Sequence, residues 1–291
     1  MCSITVTCKF GDSRELIRDL DNESIDCVVT SPPYWGMRRY GDYSNQFGRE
    51  PTPTEYINNL NSLFSGIHGK LKPEGNCFVN IDDSYSKSGA DVPAKCLCMI
   101  PERFALMMIQ NGWILRNKII WYRKNHKPES VKDRLTHTYE YIYHFVKQKK
   151  YYYGLDDIRA PYETTPSKTT STYTGKFKGH DEAETFGSPR ARTQRKNGSK
   201  QYQNNPLGKN PGDMWLINTT PYPQAHFAVY PEKLVQRMIL AGSPPGGVVL
   251  DPFGGSGTTA MACRDLGRKC ILFELNNEYE KMINERLQVG S

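Results

Sequence analysis

Apolar positions along the chain fall into short runs that alternate between strand-like and helical spacing. Ile4 to Phe10 reads as a strand closed by Gly11-Asp12, and Ser13 to Leu20 as a short helix. Ile25-Asp26-Cys27-Val28-Val29-Thr30 is a nearly continuous apolar run, the mark of a buried strand. From Thr54 to Leu71, the residues Tyr56, Ile57, Leu60, Leu63, Phe64, Ile67 and Leu71 recur at helical spacing, with Thr54 expected as N-cap. Cys77 to Ile81 predicts a strand ending in Asp82-Asp83, and Pro101 to Gln110 a helix stopped by Asn111-Gly112. Ile119 to Tyr122 and Tyr139 to Val146 read as paired strands. Val248 to Leu250 and Cys270 to Phe273 flank a helix from Thr258 to Leu266, and a last helix runs from Glu278 to Leu287. Strands alternating with helices predict an α/β fold, a mostly parallel sheet with helices on both faces.

One stretch breaks this rhythm. Glu163 to Asp213 has almost no apolar periodicity and is rich in Thr, Ser, Gly, Asn and Gln. Its basic residues are Lys168, Lys176, Lys178, Arg190, Arg192, Arg195, Lys196, Lys200 and Lys209, offset in part by Asp181, Glu182 and Glu184. By composition alone it is either a solvated loop or a functional insertion, since irregular segments this long are uncommon inside a compact enzyme.

Charge and cysteine content narrow the field only slightly. The formal net charge is +7, which admits a polyanionic partner without demanding one. The eight cysteines show no CxxC spacing and the six histidines no metal spacing, so no metal site is expected and a reducing, cytoplasmic compartment is. No apolar run approaches the roughly 18 residues of a membrane span, and the N-terminus does not read as a signal peptide.

Two turns carry candidate chemistry. Val248-Val249-Leu250-Asp251-Pro252-Phe253-Gly254-Gly255-Ser256-Gly257-Thr258-Thr259-Ala260 is a strand, a glycine turn and a helix start. Such a turn lets a ligand approach the backbone closely. Thr258 stands where a phosphate-binding loop needs lysine, so nucleotide hydrolysis falls away. Gly255 to Ala260 also fits the dinucleotide pattern, and Glu274 at the end of the next strand suits a ribose diol. The turn alone leaves nicotinamide-dependent oxidoreductases and methyltransferases both open.

Thr30-Ser31-Pro32-Pro33-Tyr34-Trp35 follows directly on the strand from Ile25, at the sheet edge where open α/β folds bind ligands. Its two prolines stiffen the turn and remove two N–H donors, leaving carbonyl acceptors, the Ser31 hydroxyl and two aromatic faces. An exocyclic amine on a nucleobase is a poor nucleophile because its lone pair is delocalised into the ring. Two acceptors placed around it free that lone pair, and an aromatic face stacks an extruded base.

Together the two motifs closely resemble the catalytic and S-adenosylmethionine (AdoMet) motifs of the DNA amino-methyltransferases. Their order, catalytic first and AdoMet last, is that of the permuted beta class. The resemblance implies a Rossmann-like AdoMet-dependent methyltransferase sheet, circularly permuted, with an irregular target-recognition insertion. It divides the chain into a catalytic half (1–150), the insertion (151–215) and an AdoMet-binding half (216–291).

Ser31, Pro32, Pro33 and Tyr34 are then the expected catalytic residues. The expected cofactor residues are Asp12, Ala228, Asp251, Pro252, Phe253, Gly255, Ser256, Gly257, Thr258 and Glu274. Asp12 sits in Phe10-Gly11-Asp12-Ser13, similar to the segment that approaches the adenine, and Ala228 in His226 to Leu234, similar to the segment bordering the methionine part. Lys176, Lys178, Arg190, Arg192, Arg195 and Lys196 are expected to contact double-stranded DNA. Serine at the first catalytic position favours cytosine N4 over adenine N6 as target. A homodimer and a cognate restriction endonuclease are compatible further partners, and a non-catalytic DNA-binding module on the same fold is a rival reading. Asp82-Asp83 and Tyr151-Tyr152-Tyr153 rank below these sites, the acids reading equally well as turn formers and the tyrosines as an edge strand. Trp121 reads as core.

Overall fold

The computed structural model describes residues 5–37, 43–87, 89, 91–126, 128–162, 205–219 and 231–288. The chain forms two compact units, Met1–Ile158 with Pro211–Ser291, and Arg159–Asn210. In the smaller unit the described backbone closes by a bridge between Ala160 and Lys209.

Among the described residues the larger unit is built on an eight-stranded sheet of order β1-β8-β7-β2-β3-β5-β4-β6. In chain order the strands are β1 (Val6–Phe10), β2 (Ile25–Thr30), β3 (Leu71–Ile81), β4 (Ile114–Tyr122), β5 (Tyr139–Val146), β6 (Met214–Leu216), β7 (Val248–Asp251) and β8 (Lys269–Glu274). The half from β1 to β3 is parallel throughout. Beyond it β5 runs antiparallel to both β3 and β4, and β6 returns parallel to β4. The helices are α1 (Ser13–Leu16), α2 (Pro53–Lys70), α3 (Ile100–Gln110), α4 (Glu232–Gly242), α5 (Thr258–Leu266) and α6 (Tyr279–Gln288). One core holds the buried faces of α2 and α3 against the sheet; a second holds α4, α5 and Ile283 of α6 with Trp121 and Trp215. No helix among the described residues is long and apolar enough to cross a membrane.

Several boundaries differ from the sequence reading, each for a local reason. The N-cap of α2 is Thr52, whose side chain accepts from the Glu55 N–H at 3.2 Å, and not Thr54. Pro53 has no N–H to lose and a φ already helical, so it takes the first turn and moves the cap back. Thr54 instead hydrogen-bonds Asp91. β3 begins six residues before Cys77, because Pro73 and Gly75 interrupt its pattern while the backbone stays extended across a register shift against β2. β4 starts at Ile114, its polar Arg116, Asn117 and Lys118 exposed. The helix α4 and the three-residue β6 were not foreseen, and Tyr151 to Tyr153 form no strand: Tyr153 stacks on His144 with ring centroids 5.6 Å apart.

The parallel half positions the site. β2 and β7 are neighbours, with Cys27 beside Val249 and Val28 beside Leu250. From β2 the chain crosses by α2 to β3, whereas from β7 it crosses by α5 to β8, on the opposite side. The two connections diverge, and a crevice opens at the carboxyl ends of the pair, where open α/β sheets bind ligands.

Candidate active site

The glycine turn is held from behind by Asp251, which is fully buried. One carboxylate oxygen accepts from the Thr30 hydroxyl at 2.7 Å and the Phe253 N–H at 3.0 Å; the other accepts from the Thr259 hydroxyl at 2.5 Å. Gly254 donates to Phe273 O at 2.8 Å, and a Cβ there would press on Leu272. Gly255 (φ +50°) and Gly257 (φ +82°) lie in the left-handed region, which glycine enters without strain. They differ in surroundings: a Cβ on Gly257 would meet Ile283 at 3.1 Å, whereas one on Gly255 would meet nothing within 4 Å. The Gly255 N–H donates to Glu274 Oε2 at 2.7 Å, and Asn276 N–H to Oε1 at 2.9 Å. Burial raises the Glu274 carboxyl above its ordinary value, against the pull of those two hydrogen bonds.

The Ser-Pro-Pro-Tyr turn faces it. The Pro33 carbonyl accepts from the Tyr56 hydroxyl of α2 at 2.9 Å, while the Pro32 carbonyl takes no hydrogen bond from the described residues. Ser31 Oγ lies 3.1 Å from the Tyr34 hydroxyl. That hydroxyl in turn donates to Glu140 Oε2 at 2.5 Å and lies 3.0 Å from Asn80 Oδ1. Glu140 also accepts from Asn80 Nδ2 at 3.0 Å and pairs with Arg123 Nη1 at 2.6 Å. Burial, together with the charges of Glu140 and Asp82, pushes the Tyr34 phenol well above its usual range, so it stays neutral and donates.

Both turns line one cavity of about 360 Å³. Asp12 borders it as N-cap of α1, gripped by Arg14 (2.6 Å) and Asn45 (2.8 Å). Burial favours the neutral acid, but these hydrogen bonds outweigh it and hold Asp12 below the ordinary carboxylate value. Phe47 packs edge-on against Phe253 at 5.1 Å and closes the wall between them.

A family model described as DNA methylase, N6_N4_Mtase, matches residues 25–285. The chain belongs to the N6/N4 DNA methylase family. The methylase is 37% identical over 308 residues to the Type II methyltransferase M.SmaI of Serratia marcescens, an alignment covering 98% of this chain and 90% of that protein. It is 33% identical over 300 residues to M.Cfr9I of Citrobacter freundii, covering 96% and 86%. Among solved structures, the PvuII DNA methyltransferase (cytosine-N4-specific) superposes with a TM-score of 0.69 at 23% identity, covering 97% of this chain and 86% of that one. M1.HpyAVI in complex with SAM superposes with a TM-score of 0.57 at 18% identity, covering 97% and 99%. The methylase is therefore a DNA methyltransferase of Rossmann-like, AdoMet-dependent class, and the oxidoreductase that the glycine turn left open is set aside.

In the methylase all four expected catalytic residues, Ser31, Pro32, Pro33 and Tyr34, line the cavity. So do Asp12, Pro252, Phe253, Gly255, Ser256, Thr258 and Glu274. Asp251 and Gly257 stand behind the wall: the first ties β7 to β2 and α5, the second seats α5 on α6. Ala228 lies outside the described residues, as do Lys176, Lys178, Arg190, Arg192, Arg195 and Lys196.

Sequence reasoning missed Asn80, Arg123 and Glu140. Each lies on a different strand or strand end, and each reads on its own as an ordinary polar residue of a β-run. A buried glutamate within Tyr139-Glu140-Tyr141-Ile142 was the one available signal, since a carboxylate seldom enters a core unpaired. Asp82 was noticed and ranked low. It is buried beside Glu140, 3.4 Å from His137 Nε2, and its pKa is pushed up to about 8 by burial and then by the Glu140 charge. Asp83 caps α3 by accepting from Ile100 N–H at 3.1 Å.

Proposed function

We propose that this methylase transfers a methyl group from AdoMet to the exocyclic N4 amine of a cytosine flipped out of double-stranded DNA. The observation that carries the reading is the meeting of two turns around one cavity. There an uncommitted Pro32 carbonyl and the Ser31 hydroxyl sit beside the Tyr34 ring. Serine at position 31 and the cytosine-N4 specificity of the PvuII enzyme support cytosine as the base.

The glycine side fits the methyl donor. Open space above Gly255 admits close approach to the backbone, where a side chain would fill the gap. Glu274 keeps acceptor capacity for a ribose diol after its two backbone hydrogen bonds, and Asp12 borders the same cavity. Bound there, AdoMet supplies an electrophilic methyl group. Tyr34, fixed by Glu140, stacks the extruded base. Ser31 Oγ and the Pro32 carbonyl accept hydrogen bonds from the two amine N–H groups and favour a tetrahedral nitrogen, which after methylation releases one proton to water or a nearby acceptor. No protein nucleophile is needed, because the amine attacks directly, and orientation and charge placement supply the catalysis. Lys176, Lys178, Arg190, Arg192, Arg195 and Lys196 grip the DNA backbone in this reading; reversing the three arginines to glutamate should weaken DNA binding and lower its salt slope by about 0.9 per lost phosphate contact.

Base-resolved sequencing of DNA incubated with the enzyme and labelled AdoMet tests the whole reading. N4-methylcytosine at one recurrent site is expected. N6-methyladenine alone overturns the choice of base, and absence of methyl transfer leaves a DNA-binding module.

A further inference from the structure

Arg123 is the only lysine or arginine among the described residues lining the cavity, which it shares with the acids Asp12, Glu140, Glu274 and Glu278. Its backbone is fixed just past the end of β4, with the Arg123 N–H donating to Thr138 O at 3.1 Å. Its guanidinium lies over Trp121, 5.0 Å from the ring centroid. Among the described residues the fork has one ion-pair partner: Nη1 pairs with Glu140 Oε1 at 2.6 Å. Nε is shut off from solvent and has no hydrogen-bond partner among the described residues. Glu140 Oε2 meanwhile holds the Tyr34 hydroxyl, so a single carboxylate separates the arginine from the ring on which the base stacks.

We propose that Arg123 is a specificity-determining residue that donates to the O2 and N3 acceptors of the flipped cytosine; the inference rests on the cytosine reading above. Cytosine carries, next to its N4 amine, a ring acceptor N3 and then a carbonyl O2. Adenine carries, next to its N6 amine, the acceptor N1 and then a C–H. With the amine held at Ser31 and Pro32, a two-pronged donor finds two acceptors on cytosine and only one on adenine. Arginine suits this task because Nη1 can serve Glu140 with one of its hydrogens while the Nη1/Nη2 end of the planar fork is offered to the base. Lysine could serve one partner or the other. The ion pair with Glu140 also fixes the fork before the base arrives, so a base lacking O2 leaves a buried donor unpaired, the arrangement by which binding sites discriminate most strongly.

The test pairs a changed residue with a changed atom. Duplexes carrying cytosine or 2-thiocytosine at the mapped target are methylated in single turnover at saturating AdoMet by wild type, Arg123→Met and Arg123→Lys. Sulfur is a poor hydrogen-bond acceptor, and its effects on pairing within the duplex are common to all three enzymes and cancel in the ratio. Wild type should prefer cytosine by about tenfold or more, and both variants should fall to within about twofold of no preference. Arg123→Lys, which keeps a cation beside Glu140, should retain AdoMet affinity and melting temperature. Equal preference in all three enzymes overturns the proposal. So does a rate loss in the variants that is the same on both duplexes, which assigns Arg123 only the support of Glu140. A product of N6-methyladenine would instead remove the cytosine reading itself, and the mapping experiment reports that separately.

Discussion

The glycine turn and the Ser-Pro-Pro-Tyr turn face each other across one cavity, yet they are held in opposite ways. The glycine turn draws much of its support from nearby in the chain: Thr259 lies eight residues from Asp251, and Glu274 nineteen from Gly255. The Ser-Pro-Pro-Tyr turn is stiff by itself, but the hydroxyl that sets its aromatic face is held by Asn80 and Glu140, 46 and 106 residues away. A turn held by near neighbours can therefore be recognised in a short stretch of sequence, while the alignment of the Tyr34 side chain depends on distant strands. One residue belongs to both regions. Asp251 anchors the glycine turn and also accepts from Thr30, 221 residues earlier, at the start of the Ser-Pro-Pro-Tyr turn.

That joint gives the largest expected effect. Asp251→Ala leaves two hydroxyls and one N–H buried without their acceptor, at about 1–3 kcal/mol each, so unfolding stability should drop by upward of about 3 kcal/mol. Both AdoMet and DNA substrates should lose productive binding. Denaturant melts of the variant check it, and an unchanged midpoint would show that the two turns stand independently. Next is Gly255→Leu, which fills the open space above the turn and strains a left-handed backbone. AdoMet affinity measured calorimetrically should fall about a hundredfold, ~2.7 kcal/mol, with DNA affinity preserved. Unaltered AdoMet binding would remove the cofactor from this turn.

On the catalytic side, Tyr34→Ala should slow methyl transfer by about ten- to a hundredfold through loss of the stacking face, while sparing AdoMet binding. Tyr34→Phe separates the face from its tether. It keeps the ring and loses one hydrogen bond worth about 1 kcal/mol, so a rate only several-fold lower is expected. If both variants act alike, the distant tether matters as much as the ring, which would sharpen the contrast with the self-supporting glycine turn. Full activity of Tyr34→Ala would end the assignment of this turn.

The last test is a pH slope. Asp82 has its folded pKa raised to about 8 by burial and by Glu140, above the roughly 3.9 of an unfolded aspartate. Between these values the folded state holds a proton that the unfolded state has released. Stability should accordingly be highest below about pH 4 as far as this group is concerned, fall as pH rises toward 8 by at most about 1.4 kcal/mol per unit, and level off above. Asp82→Asn should flatten that slope in melts taken across the window; a slope unchanged by the substitution would mean that Asp82 ionises normally.

The chain's own pattern determined the α/β class, most of the strands and helices, and both turns. Each of these is written in local chemistry: a continuous apolar run for β2, helical spacing for α2, left-handed glycines at 255 and 257, and two prolines that stiffen the turn after β2. Where local chemistry was ambiguous the reading slipped, as at Pro73 and Gly75 inside β3 or at the three-residue β6. Tertiary structure alone decided that Asn80, Arg123 and Glu140 converge on Tyr34. They come from three strands that neighbour one another only because β5 inserts between β3 and β4. It also decided that Asp251 supports the wall of the cavity without lining it. Backbone conformation is limited by the residue that adopts it and its immediate neighbours, and so it leaves a mark in the sequence. A hydrogen bond between side chains a hundred residues apart exists only once the sheet has brought them together, and no local pattern records it.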